Sequence, residues 1–225
     1  MKVYFLLLLA LFSLGRGQAQ SAGTRPDSVT VTMHYGSDNA ELHQLMSRVL
    51  HIDKLHVVAH NPQLAGRLFH LTYQEVKNGV PEAEKELVGN AVRLLSFDKQ
   101  GNFAMDIFAR QVTETTLENQ FLFAAGATEK TFAAQPGKGG LYSLRQDIWP
   151  YKTLKTLGPA VPGQQPTSTH TFAVGKKVPF LVYTLPYEAD GYLLYCDLAQ
   201  SKVPVNEWFT KFKISHFVVY NLVVE

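Results

Sequence analysis

The chain has 225 residues, 46% of them apolar, with 21 Lys and Arg against 19 Asp and Glu and a single cysteine. That near-neutral balance excludes a polyanion partner such as nucleic acid, because binding phosphate by counterion displacement needs a surplus of basic side chains. One thiol forms no internal disulfide, so stability has to come from the core alone.

The N-terminus reads as an export signal. Lys2 is a short basic region, VYFLLLLALFSLG is an apolar run of about a dozen residues, and Gly17 and Ala19 are the small residues a signal peptidase requires. Cleavage is expected after Ala19, giving a leader at 1–19 and a single β-rich domain at 20–225. The run is shorter than the roughly 20 apolar residues that span a bilayer, and no later stretch reaches that length, so no membrane span is expected. The leader carries Lys2 and Arg16 and no acid, which leaves 19 basic against 19 acidic residues. Cysteine scarcity in an exported chain, together with the absence of any Asn-x-Ser/Thr sequon, fits a bacterial periplasm or the cell exterior.

After a polar tail, Val29, Val31 and Met33 alternate with Thr and His34 at the period of a strand. Asp38 with Glu41 has capping-box spacing. Leu42, Leu45, Met46, Val49 and Leu50 then form an apolar stripe, which predicts a helix over about 39–50. Leu55 to His60 and Phe69 to Tyr73 read as strands around an Asn61–Gly66 loop. Asn78-Gly79 is a tight-turn signal. Val92–Phe97 and Phe103–Val112 read as a second hairpin across DKQG, with further strands at Leu117–Ala124 and Thr128–Ala133. The stretch around 136–169 is rich in Pro and Gly and reads as an irregular loop. Strands resume at Thr171–Val174, Val178–Leu185 and Tyr192–Leu198, the last two joined across PYEADG. Val205, Trp208, Phe209 and Phe212 predict a short helix over about 204–213. His216–Val224 is apolar on both faces, the pattern of a central strand. About ten strands without βαβ alternation give a mainly β fold: an antiparallel sandwich or barrel-like domain with two short peripheral helices.

Six of the eight histidines lie between residues 34 and 70. On one strand His56 and His60 share a face but stand about 13 Å apart, too far for one zinc ion. A hairpin with its loop at 61–65 would instead set His56 opposite His70, and these two are the candidate metal ligands. The reading preferred over a metal site is solvated strand histidines, since Lys54 and Arg67 stand nearby and a metal site needs converging ligands. Cys196 alternates with apolar neighbours and reads as a core thiol. QPGKGG lacks P-loop spacing, Glu188 and Asp190 sit beside Gly191 in a turn, and Glu82, Glu84 and Glu86 read as a solvated face. Tyr142, Trp149 and Tyr151, in the irregular segment, are the candidate ligand-binding aromatics, for stacking on a sugar or gripping a peptide, or else plugs for one end of the sandwich.

With no cofactor motif and no paired nucleophile and base, the chain reads as an exported, non-catalytic binding or structural domain with no cofactor. Its partner would be a glycan or another envelope protein. Two alternatives stand beside this: a metal-assisted or hydrolytic secreted enzyme, and an envelope assembly subunit that pairs through its C-terminal strand.

Overall fold

A computed structural model describes residues 28–88, 95–135, 141–145, 167–195 and 203–225. The leader, Trp149, Tyr151 and Cys196 lie outside the described residues. The fold is mainly β, and its two large antiparallel sheets do not close into a barrel.

The first sheet has six strands. Its order is β10 (Thr167–Ala173), β1 (Ser28–Tyr35), β2 (Ile52–His60), β6 (Asn102–Thr113), β7 (Thr116–Phe123) and β8 (Gly126–Ala133). The second is built on β4 (Val80–Pro81), β3 (Phe69–Lys77), β14 (His216–Val224), β11 (Val178–Thr184) and β9 (Ser143–Arg145), with β5 (Lys85–Glu86) also on β3. A separate two-stranded ribbon joins β12 (Tyr187–Ala189) to β13 (Tyr192–Leu194).

Period-two alternation gives each strand an inward apolar row. Val31 and Met33 on β1, Leu55 and Val57 on β2, and Met105 and Ile107 on β6 meet Leu71, Tyr220 and Leu222 of the facing sheet in one core cluster. Aromatic pairs bridge the layers: Phe69 stacks on Phe103 at 4.2 Å between ring centres, and Phe121 meets Tyr220 edge-on at 5.0 Å. Such pairs add about 0.5–1.5 kcal/mol each beyond the area they bury.

Several expectations change on the structure. His56 and His70 are not cross-strand neighbours, because β2 and β3 belong to different sheets. A strand has two edges, and those of β2 are taken by β1 and β6, those of β3 by β14 and the β4–β5 segments. The chain instead crosses between layers through a 3-10 turn at Pro62–Leu64, where Leu64 is fully buried. The 103–112 strand likewise pairs with β2 and β7, while Ser96 bridges to Leu68. β11 pairs with β9 and β14 and not with β13. Asp190 and Gly191, both at positive φ, instead turn β12 into β13.

The first helix is one α-helical turn, α1 (Ala40–Gln44), continued by a π-helical turn at Leu45–Val49. Asn39, not Asp38, caps it, its side-chain oxygen accepting from the Leu42 amide at 3.0 Å. The expected apolar stripe mostly faces solvent: of its five residues only Met46 is buried. The second helix, α2 (Trp208–Phe212), follows a 3-10 turn and buries Trp208 against Phe217 of β14. Gly79 beneath it has positive φ, and a Cβ there would stand 2.7 Å from the Phe209 ring.

β14 is central, paired along its length with β3 and over six positions with β11. Its edges are taken by β3 along the whole strand and by β11 from Phe217 to Leu222.

Candidate functional site

Side chains that point outward from the first sheet line up in rows across its strands. In one row Thr167 of β10 faces His34 of β1, His34 faces His56 of β2, and His56 faces Asp106 of β6. Hydrogen bonds join these neighbours in pairs. His34 Nδ1 lies 3.1 Å from the Thr167 hydroxyl and His56 Nδ1 lies 2.9 Å from Asp106 Oδ1. A carboxylate oxygen only accepts, so His56 donates from Nδ1 and leaves Nε2 for a ligand. Lys54, two residues along β2, brings its ammonium to 3.7 Å from the same Asp106 oxygen.

This row floors a cleft of about 360 Å³ lined by His34, Tyr35, Gly36, Ser37, Asp38, Lys54, His56 and Asp106. The connection from β1 into α1 forms its rim, held where the Gly36 amide donates to the Lys54 carbonyl at 2.7 Å. The Ser37 hydroxyl accepts from the Asn39 amide at 3.3 Å.

Of the two candidate metal ligands, His56 is in this cleft and His70 is on the other sheet, bonded through Nε2 to Glu225 at 2.7 Å. Among the described residues no three or more His, Cys, Asp or Glu side chains converge into a site of three protein ligands. Sequence reasoning names Lys54 as a neighbour of His56 but misses His34 across the β1–β2 ladder and Asp106, fifty residues away. The available signal was its position in β6: Phe103, Met105 and Ile107 point inward, so Asp106 must point outward.

Tyr142 is buried, 5% exposed, and gives no outward platform for stacking. It belongs to an interior chain of polar groups. Glu75 accepts from His216 Nε2 at 2.8 Å, the Tyr142 hydroxyl lies 2.5 Å from His216 Nδ1, and the Gln135 amide donates to that hydroxyl at 3.0 Å. Lys77 closes the chain 3.0 Å from Glu75. Burial pushes the His216 pKa below the ordinary imidazole value, although the Glu75 hydrogen bond pulls the other way. Burial also pushes the Tyr142 hydroxyl well up. A part-buried clasp ties the layers together: Asp53 of β2 accepts from the Tyr35 hydroxyl, from Ser143 at 2.9 Å and from the Leu144 amide at 2.6 Å.

Glu84 is more than part of a solvated face. It receives Lys177 at 2.6 Å, Asn221 at 2.9 Å and the Thr72 hydroxyl. Burial raises its pKa, but those hydrogen bonds outweigh burial and hold the carboxyl below its usual range.

Two other clefts are lined by described residues. A groove of about 360 Å³ on the outer face of the second sheet is walled mainly by carbon, including Val76, Pro81, Pro179, Pro204 and Val219. Another, of about 440 Å³, lies beside the β12–β13 ribbon, with Glu188, Asp190 and Lys213 on its walls. The histidine cleft differs in setting two imidazoles, a carboxylate and an ammonium on hydrogen-bonded strands, where their positions are fixed by the sheet.

Comparison with protein-family models, with curated proteins and with solved structures finds no match to this chain, so its function has to be argued from the site.

Proposed function

We propose that this is an exported, non-catalytic binding domain of the bacterial cell envelope or exterior, which holds a small polar ligand in the cleft over β1, β2 and β6. The observation that carries this reading is the row His34, His56, Asp106 with Lys54. It offers donors and acceptors side by side on a rigid sheet, the mixture that suits a glycan bearing amide or carboxylate groups.

Two further observations favour binding over turnover. The Glu75–His216–Tyr142 chain has the order of an acid–base relay, yet His216 and Tyr142 are buried and Glu75 is paired with Lys77 at 3.0 Å, so the chain serves to satisfy polar groups at the edge of the core. His56 and Asp106 form a dyad of the kind that activates a hydroxyl, but among the described residues the Ser37 hydroxyl of the same cleft makes no hydrogen bond to His56.

The test is calorimetric titration with muropeptide fragments, followed by mass spectrometry of the same samples. Saturable binding with intact fragments, weakened in a Lys54→Ala, His56→Ala double variant, is the expected result. Shortened fragments would favour the hydrolytic alternative, and no binding would remove the glycan from the reading. Protein recovered from its native host should begin within a residue or two of Gln20; an intact Met1 would contradict export.

A further inference from the structure

His34 and His56 stand opposite each other on the outward face of the β1–β2 ladder, with ring centres 6.2 Å apart. Each ring is pinned from its far side, His34 at Nδ1 by Thr167 and His56 at Nδ1 by Asp106. The Asp106 carboxylate only accepts, so the His56 lone pair stands on Nε2, and the Thr167 hydroxyl, which both accepts and donates, allows the same tautomer in His34. That is the arrangement by which proteins fix the tautomer of a metal-binding histidine and strengthen it as a donor. Both rings line the same cleft.

We propose that His34 and His56 present their Nε2 atoms together to a single borderline divalent cation (copper, nickel or zinc) whose remaining coordination positions are filled by water.

The spacing fits. A metal about 2.1 Å from an imidazole nitrogen lies roughly 3.2 Å from the ring centre, so two rings on one ion have centres at most about 6.4 Å apart. The observed separation falls just inside that limit, the spacing of two imidazoles on opposite sides of one ion. Two neutral nitrogen donors favour copper, nickel and zinc over calcium or magnesium, which take oxygen. The Lys54 ammonium is the one adverse charge on β2, and Asp106 offsets it at 3.7 Å. With two protein ligands the site is open and exchangeable, unlike the closed four-ligand sites that hold structural zinc. The cation would present its open positions to whatever occupies the cleft.

The assignment rests on this cleft being the ligand site, and the test separates the two claims. Untagged protein is titrated with copper, nickel and zinc chlorides in turn, by calorimetry and by amide NMR. One equivalent should bind saturably, copper tightest. His34→Gln and His56→Gln should each abolish saturable binding, and Asp106→Asn should weaken it about tenfold or more. His70→Gln should leave it unchanged. Copper should broaden the amide signals of residues 34–36, 56 and 106 in the unaltered protein, a readout that needs no variant.

Absence of saturable binding, or binding that survives His34→Gln or His56→Gln in folded protein, overturns the proposal. If muropeptide fragments still shift the same amides without metal, only the metal assignment falls. If neither probe reaches the cleft, the binding reading falls with it.

Discussion

His216 shows how one buried residue ties fold to pH. Burial lowers its pKa in the folded chain below the ordinary 6.5. The neutral ring therefore contributes stability that is fully present above about pH 6.5 and is lost as the pH falls through the folded value. Urea unfolding followed from neutral pH downward should show stability declining from that point, and His216→Gln should flatten the decline from a lower baseline. Removing the ring leaves Glu75 and Tyr142 without their shared partner, at a cost of about 2–4 kcal/mol at neutral pH. A variant as stable as the parent, with the same pH profile, would show that the chain is not formed. Glu84 acts in a lower window. Its depressed pKa gives stability that is present above about 4.5 and lost as the pH falls through its folded value, so Glu84→Gln should blunt only the acid end of the profile. The exposed histidines should behave differently: His56→Gln and His70→Gln remove exposed or part-exposed pairs and should each change stability by less than about 0.5 kcal/mol.

Elements were legible in sequence where their own pattern decides them. Alternation in Val29–Met33, Phe103–Ile107 and Leu117–Phe123 marks both the strands and the sides they bury. Asn78-Gly79 marks its hairpin because both residues take positive φ there. The doubly apolar run at His216–Val224 marks the central strand. Pairing across sequence was not legible, since alternation says which face is buried but not which strand lies alongside. His56 was thus placed opposite His70 when its neighbours are His34 and Asp106. The helical stripe misled in another way: Leu42, Leu45, Val49 and Leu50 keep helical spacing but are 45–65% exposed. Replacing Leu45 or Val49 by Gln should cost less than about 0.5 kcal/mol, whereas Met46→Ala should cost about 2 kcal/mol or more in the same thermal melts. Equal losses at all three would mean that the stripe packs inward. Deleting 216–225 removes the strand that β3 and β11 share and should abolish cooperative folding. A truncated chain that stayed monomeric with a sharp melt would make β14 dispensable.

On the scale of the whole molecule, two sheets share one core while the outward face of the six-stranded sheet carries the polar row. Phe121 and Tyr220 join the layers, so Phe121→Ala should cost about 3–5 kcal/mol without moving the outward side chains of β1, β2 and β6. The division of labour is physical: inward residues fix where the strands lie, and the strands fix the spacing of His34, His56 and Asp106. The most direct test is an amide NMR map of the protein titrated with muropeptide fragments. Shifts concentrated at residues 34–38, 54–56 and 106 are expected. Shifts confined to the groove around Val76, Pro179 and Val219, or none at all, would contradict the placing of the binding site on the histidine row.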